Sequence, residues 1–303
     1  MNQLKSHKSF ISNTVKTFAS AGFAALACSS GAAEISTDPG DYVALPPGVN
    51  LGIVYYQHTE HDAYYVNSNK TQGSFKLVTD IGLARFVHYM KIGDYVIDPQ
   101  IVIPFGKVNL NTPFGPLAPV SANGVADPII GSALWLMNRP EQQQWFAVSG
   151  FASLPVGNYD PANGPVNLGE NRWKGIFQAA YTTALGKSFM LDVVGEYAIY
   201  GNNNNFLGLT KKQDASYGVQ THLRYVISPA TYVGLSYYRD FGGESSLNGI
   251  SQNDRMNNSR WLATLASFVT PTVQLQIQAG RALKVANGAE DTNQVNLRLV
   301  KVF

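Results

Sequence analysis

Val273, Leu275, Ile277 and Ala279 alternate with Gln274, Gln276, Gln278 and Gly280, and the same period of two recurs along most of the chain. Extended as a strand, such a segment carries one apolar face and one polar face. Tyr217, Val219, Thr221, Leu223 and Tyr225 alternate with Gly218, Gln220, His222 and Arg224 in the same way. Phe189, Leu191, Val193, Gly195 and Tyr197 alternate with Met190, Asp192, Val194, Glu196 and Ala198. Extended along the chain, the pattern predicts an all-β fold of twelve strands, near 49–58, 76–90, 94–104, 127–137, 144–154, 172–184, 188–200, 215–227, 231–241, 259–269, 272–283 and 292–303.

The connections alternate in length. Short turns fall at Lys91-Ile92-Gly93, Arg139-Pro140-Glu141, Leu185-Gly186-Lys187, Ser228-Pro229-Ala230 and Thr270-Pro271. Long polar loops fall near 59–75, 105–126, 155–171, 201–214, 242–258 and 284–291. A single transmembrane antiparallel up-and-down β-barrel has this layout, with short periplasmic turns and long extracellular loops. Closure has a physical cause, because an open sheet edge in hydrocarbon leaves backbone groups unpaired. A soluble sandwich also alternates. Against it stand the aromatics near strand ends, Tyr89, Tyr95, Trp145, Phe189, Tyr225, Tyr232 and Phe268, which suit an interfacial girdle. Only 14% of residues are charged, against roughly 25% in soluble domains, as expected if half of each strand faces lipid. No basic block exists to neutralise phosphates, which argues against a nucleic-acid partner.

The N-terminus carries an export signal. Lys5, His7, Lys8 and Lys16 precede an uncharged run from Thr17 to Ala33, with Phe18, Phe23 and Leu26 among small residues. Its apolar core, about 10 residues, is too short to span a bilayer, which takes about 20. Cleavage fits after Ala33, and also after Ala27, which would leave Cys28 first as in a lipoprotein. Against the second, Ala25 stands where Leu is preferred. Removing residues 1–33 takes away three Lys and the only Cys, leaving 19 Lys+Arg against 20 Asp+Glu, a formal charge of −1. The expected organisation is a signal peptide over 1–33, a periplasmic N-terminal segment over 34–48 and a barrel over 49–303. The middle segment is rich in Gly, Pro and Asp. Tyr42 and the rigid Pro46-Pro47 suit a plug entering from the periplasm, with a loose tail as the alternative.

In the last strand, Val295, Leu297, Leu299 and Phe303 share a face opposite Asn296 and Arg298. A terminal aromatic on an alternating strand resembles the signal read by barrel-assembly machinery, an expected partner together with outer-membrane lipid. Lys301 interrupts the apolar face where a long cationic side chain can snorkel to the interface.

Asp41-Tyr42-Val43-Ala44-Leu45-Pro46-Pro47-Gly48, Tyr55-Tyr56-Gln57-His58, Asp98-Pro99-Gln100, Asn167-Leu168-Gly169-Glu170-Asn171-Arg172-Trp173 and Ser267-Phe268-Val269-Thr270-Pro271-Thr272 form a set. Together they resemble the "meta-pathway of phenol degradation" family of outer-membrane proteins, from about residue 41 to Phe303. The resemblance implies a Gram-negative outer-membrane barrel linked to breakdown of aromatic compounds and acting as an uptake channel. It implies no catalytic residues.

A charge facing lipid at mid-membrane costs roughly 2–4 kcal/mol. Strand charges and amides are therefore expected to line the lumen: Arg85, His88, Asp98, Lys174, Gln178, Asp192, Glu196, Gln220, His222, Arg224, Gln274, Gln276 and Gln278. Strict register puts Asp80 and His88 on the face opposite Arg85, so a β-bulge is expected to bring Arg85 inward. These groups either set the selectivity of a path or pair with one another and fill the barrel. Twelve strands fall between small filled barrels and wide porins, which allows a pore for small solutes only.

His58-Thr59-Glu60-His61-Asp62 is the one metal-like cluster, without zinc-protease spacing, and is read as a solvated loop. No phosphate-binding, dinucleotide or nucleophile-elbow motif occurs, so no catalytic, metal or cofactor residue is assigned. Gly242-Gly243-Glu244-Ser245-Ser246 reads as a flexible outer loop. The leading expectation is a non-enzymatic channel for passive uptake of small hydrophobic or aromatic solutes, needing no cofactor. The alternatives are a structural barrel without transport and an outer-membrane hydrolase using His58 or His61 near the rim.

Overall fold

The computed structural model describes residues 34–115 and 117–303, so the leader lies outside the described residues. Twelve long strands form the wall: β1 (Asn50–Val66), β2 (Leu77–His88), β3 (Gln100–Leu110), β4 (Ile129–Arg139), β5 (Gln144–Ser153), β6 (Lys174–Leu185), β7 (Phe189–Tyr200), β8 (Ser216–Val226), β9 (Thr231–Gly242), β10 (Met256–Thr270), β11 (Val273–Lys284) and β12 (Gly288–Val302). Each pairs antiparallel with the next. The ring closes where β12 pairs with β1, from Leu51 opposite Val302 to Tyr65 opposite Gly288.

Period two becomes inside and outside. Along β7, Asp192, Val194, Glu196 and Ala198 are buried while Phe189, Val193, Tyr197 and Ile199 are exposed. The exposed side chains form the lipid-facing band. Its rims carry aromatic pairs: Phe189 and Tyr225, with centroids 5.1 Å apart, at the short-turn end, and Tyr197, Tyr217 and Phe241, 5.4 and 5.5 Å apart in sequence, at the other. Tyr95 and Phe268 are exposed as well. Tyr89, Trp145 and Tyr232, expected in the girdle, point inward instead. Tyr89 and Trp145 join a buried cluster at the short-turn end with Tyr42, Tyr55, Val87 and Trp135. Tyr232 donates to the carbonyl of Pro39 at 3.1 Å.

Three further expectations are corrected. The segment 94–104 is two strands, Tyr95–Ile97 on β4 and then β3, because Pro99 has no N–H for the ladder. The Asp98 carboxylate bonds to the Ala133 N–H instead, at 2.5 Å. The bulge expected in β2 is absent, since its pairing with β1 and β3 runs without a register shift. Arg85 therefore lies inside, with Asp80 and His88 outside. His88 shares a hydrogen bond with the Asn50 side chain, at 2.8 Å and outside the lumen. The loop read as flexible is ordered: Ser245–Leu247 pairs with Leu209–Gln213, and with Asn203–Phe206 and Ile250–Ser251 makes a small sheet over the long-loop end. Phe206, Leu209 and Leu247 form its core.

The N-terminal segment runs inside the barrel. It leaves β1 at the short-turn end, where Gly48 N–H bonds to the carbonyl of Tyr89. It then climbs the lumen to Glu34, whose carboxylate meets Lys174 at the start of β6 at 2.7 Å.

Candidate functional site

An extended segment with unpaired backbone groups can enter a barrel only if the wall satisfies them. Here the polar residues of β6 to β12 do so. Gln220 accepts from Thr37 N–H at 2.8 Å, and Gln178 and Gln220 both donate to the carbonyl of Ile35 at 2.9 Å. Tyr238 donates to the carbonyl of Thr37 at 3.0 Å, and Asp192 accepts from Gly40 N–H at 3.1 Å. Charge complements these bonds. Arg298 reaches Asp38 and Asp41 at 2.9 and 3.1 Å, Arg85 reaches Asp41 at 3.4 Å, and Arg224 holds Asp192 at 3.2 Å. At the lower end, Tyr42 Oη bonds to Ser149 and Gln178, and Trp135 Nε1 donates to the Tyr42 carbonyl at 2.9 Å.

Opposite this wall the segment leaves a cavity of about 300 Å³. Its far side is an apolar stripe contributed by four neighbouring strands: Ile81 and Leu83 from β2, Val102 and Pro104 from β3, Ile129 from β4 and Phe151 from β5. Gly131 lets the Phe151 ring lie against β4, because a Cβ there would sit 2.3 Å from Phe151 Cδ1. The near side is polar, with Ser36, Thr37, Asp38 and Asp41 of the segment. An apolar cavity of about 150 Å³ holds benzene, so this space is large enough for a single ring.

The profile of the family described as "Putative MetA-pathway of phenol degradation" matches residues 61–299. The solved COG4313 outer membrane channel from Pseudomonas putida F1 is 36% identical, superposes with a TM-score of 0.84, and the match covers 88% of this chain and 100% of that one. This chain belongs to the family. The β domain of the Bordetella autotransporter BrkA, 7% identical with a TM-score of 0.55 over 84% of this chain and 99% of that one, shares the fold. No curated protein matches.

In this family member the structure sorts the expected lumen residues into groups. Gln178, Asp192, Gln220 and Arg224, with Glu196 and His222, meet the N-terminal segment directly or through one another. Glu196 accepts from Glu34 N–H and Ile35 N–H, and His222 bonds to Thr37 Oγ1 at 2.9 Å. Gln278 donates to Asp38 at 2.9 Å, and Gln274 accepts from Arg298 at 3.0 Å. Gln276 accepts from Tyr232. Arg85 and Asp98 line the cavity and meet through Gln100.

At the long-loop end Lys174 joins Glu34 and Glu170, each at 2.7 Å, and Arg172 holds Glu170 at 2.6 Å. Burial alone would raise the Glu170 carboxyl; Lys174 and Arg172 override it and hold that carboxyl well below the usual range. Burial pushes the nearby Asp127 carboxyl up, against bonds from Glu170 and Gly157 N–H.

Arg260, Arg298, Asp240 and the apolar stripe are part of the site without standing among the expected lining residues. Arg298 and Arg260 carried a readable signal, since Arg298 alternates with Leu297 and Leu299, and Arg260 precedes Trp261 at a strand start. The metal-like cluster is divided between two faces. His58 points outward to Asp80 at 2.7 Å, with Glu60 and Asp62 on Lys76, whereas His61 is buried inside, 3.1 Å from Asp291. Strand alternation separates the two histidines, so they share no rim site.

Proposed function

We propose that this protein is an outer-membrane channel for passive uptake of small hydrophobic or aromatic solutes, with residues 34–48 as the constriction of its path. The observation that carries the reading is the apolar stripe facing a polar segment across a single-ring-sized cavity. Most polar contacts of the segment are to β6–β12, and those to β2, β4 and β5 come from Arg85, Trp135 and Ser149 rather than from the stripe residues. Support also comes from the 36% identical relative, itself described as an outer membrane channel, and from the phenol-degradation description of the family. No step requires a cofactor, and the polar interior residues act by binding and orienting. The exposed Phe303 at the end of the last strand suits recognition by barrel-assembly machinery.

The test is flux of benzoate and of a size-matched sugar into liposomes holding purified protein. Benzoate entry well above both the sugar and protein-free vesicles is expected. Benzoate entry no faster than in empty vesicles would refute transport, and equal entry of both solutes would refute the aromatic preference.

A further inference from the structure

Toward the long-loop end of the lumen a main-chain nitrogen meets a buried carboxylate. Glu34 N–H donates to Glu196 Oε1 at 2.7 Å, and Ile35 N–H and Gln178 Nε2 donate to Oε2 at 3.2 and 2.7 Å. Glu196 is buried and forms no ion pair among the described residues. Gly218 of β8 lies opposite Glu196 on one side and opposite Asp240 of β9 on the other. No side chain of β8 therefore stands between the two carboxylates. Asp240 is 2% exposed, and its Oδ2 has no hydrogen-bond partner among the described residues. Arg260, on β10, gives its terminal nitrogens to Ser36 and Gln294 and lies 4.0 Å from the Tyr238 ring centroid. A buried carboxylate without a cation or full hydrogen bonding is costly. Glu196 and Asp240 are thus two buried carboxylates beside residue 34, neither in an ion pair among the described residues, with Arg260 as the nearest cation to Asp240.

We propose that the leader is hydrolysed between Ala33 and Glu34, and that the α-ammonium this creates is the counter-ion held by Glu196 and facing Asp240. Water adds across the peptide bond: the hydroxyl goes to the Ala33 carbonyl carbon, which becomes a carboxylate, and the Glu34 nitrogen leaves as an amine that takes up a proton. The nitrogen already in contact with Glu196 thereby gains a full charge, and three N–H donors replace one. Gly31 and Ala33 supply the small residues that a leader peptidase needs before the cut. Cleavage after Ala27 would leave an uncharged peptide nitrogen at this position. The Glu34 side chain accepts from Lys174 and Tyr200 at 2.7 Å, so both ends of residue 34 are anchored.

Protein purified from outer membranes is expected to begin Glu34-Ile35-Ser36 by N-terminal sequencing and intact mass. In native detergent-solubilised protein its α-amine should react with an acylating reagent at least about tenfold more slowly than the exposed Lys91, since the reagent must wait for opening of the segment. In E196Q/D240N that protection should fall by about tenfold, because the ammonium loses the charges that hold it. A mature chain beginning at Cys28 or elsewhere would overturn the assignment, as would a wild-type α-amine that reacts as fast as Lys91. Full protection persisting in the folded double variant would overturn the role of Glu196 and Asp240. Should that variant fail to fold, the wild-type sequence and reactivity still decide the processing site and the buried ammonium.

Discussion

The inner wall of this barrel is two surfaces. From β6 to β12 it is richer in amide, hydroxyl and charge, and Gln178, Asp192, Gln220 and Arg298 bond the N-terminal segment. From β2 to β5 it carries a stripe of Ile81, Leu83, Val102, Pro104, Ile129 and Phe151 along the cavity, beside Thr79, Arg85 and Gln100. Both are inward faces of strands with the same period, so the difference lies in residue choice alone. A polar wall can hold a backbone in place, and an apolar wall can pass a solute without trapping it, because dispersion and burial are weak per atom and have no fixed direction.

The strongest way to break this division is to remove what the polar half holds. Deleting residues 34–46 should raise single-channel conductance severalfold in planar bilayers and abolish any preference for aromatic over sugar solutes. Unchanged conductance would mean that the segment does not narrow the path.

Less drastically, Arg298→Met strips Asp38 and Asp41 of a shared partner. Loss of one member of a buried ion network costs about 3–5 kcal/mol, so the melting temperature should fall clearly, with larger conductance fluctuations. Val102→Asn, on the opposite wall, should instead leave melting nearly unchanged and reduce aromatic flux by about tenfold, the scale on which one apolar pocket contact discriminates. If Arg298→Met alters only flux, or Val102→Asn only stability, the two halves do not have separate tasks.

How much of this was legible depended on local regularity. Where alternation is unbroken, as from Phe189 to Tyr197, the face of each residue follows from its parity, and the closed barrel follows from many such segments. In β2 parity was also reliable. A bulge is required only if every charge points inward, whereas Asp80 lies near the long-loop end of the outer wall, partnered by Tyr56 and His58. Tyr89 and Trp145 show the complementary error, since aromatics near strand ends serve a lipid rim or an inner core equally well and composition does not choose between them. The small sheet over the mouth and the docking of residues 34–48 depend on contacts between positions far apart in sequence, such as Lys211 with Leu247 and Thr37 with Gln220. No local period encodes those pairings.

The smallest expected effect concerns the junction where the two surfaces meet the mouth. Glu170 accepts from Lys174 and Arg172, and its carboxyl is depressed in the folded protein below the ordinary value of 4.5. A depressed acid stabilises the fold fully above its unfolded value and loses that contribution as pH falls through the folded one. Between pH 8 and pH 5 the melting difference between wild type and Glu170→Gln should therefore be constant. Below about pH 4.5 it should shrink steadily, because only the wild type has this contribution to lose. A difference that instead grows on acidification would mean that Glu170 is protonated more readily in the fold than outside it, and that Lys174 is held at the mouth by Glu34 alone.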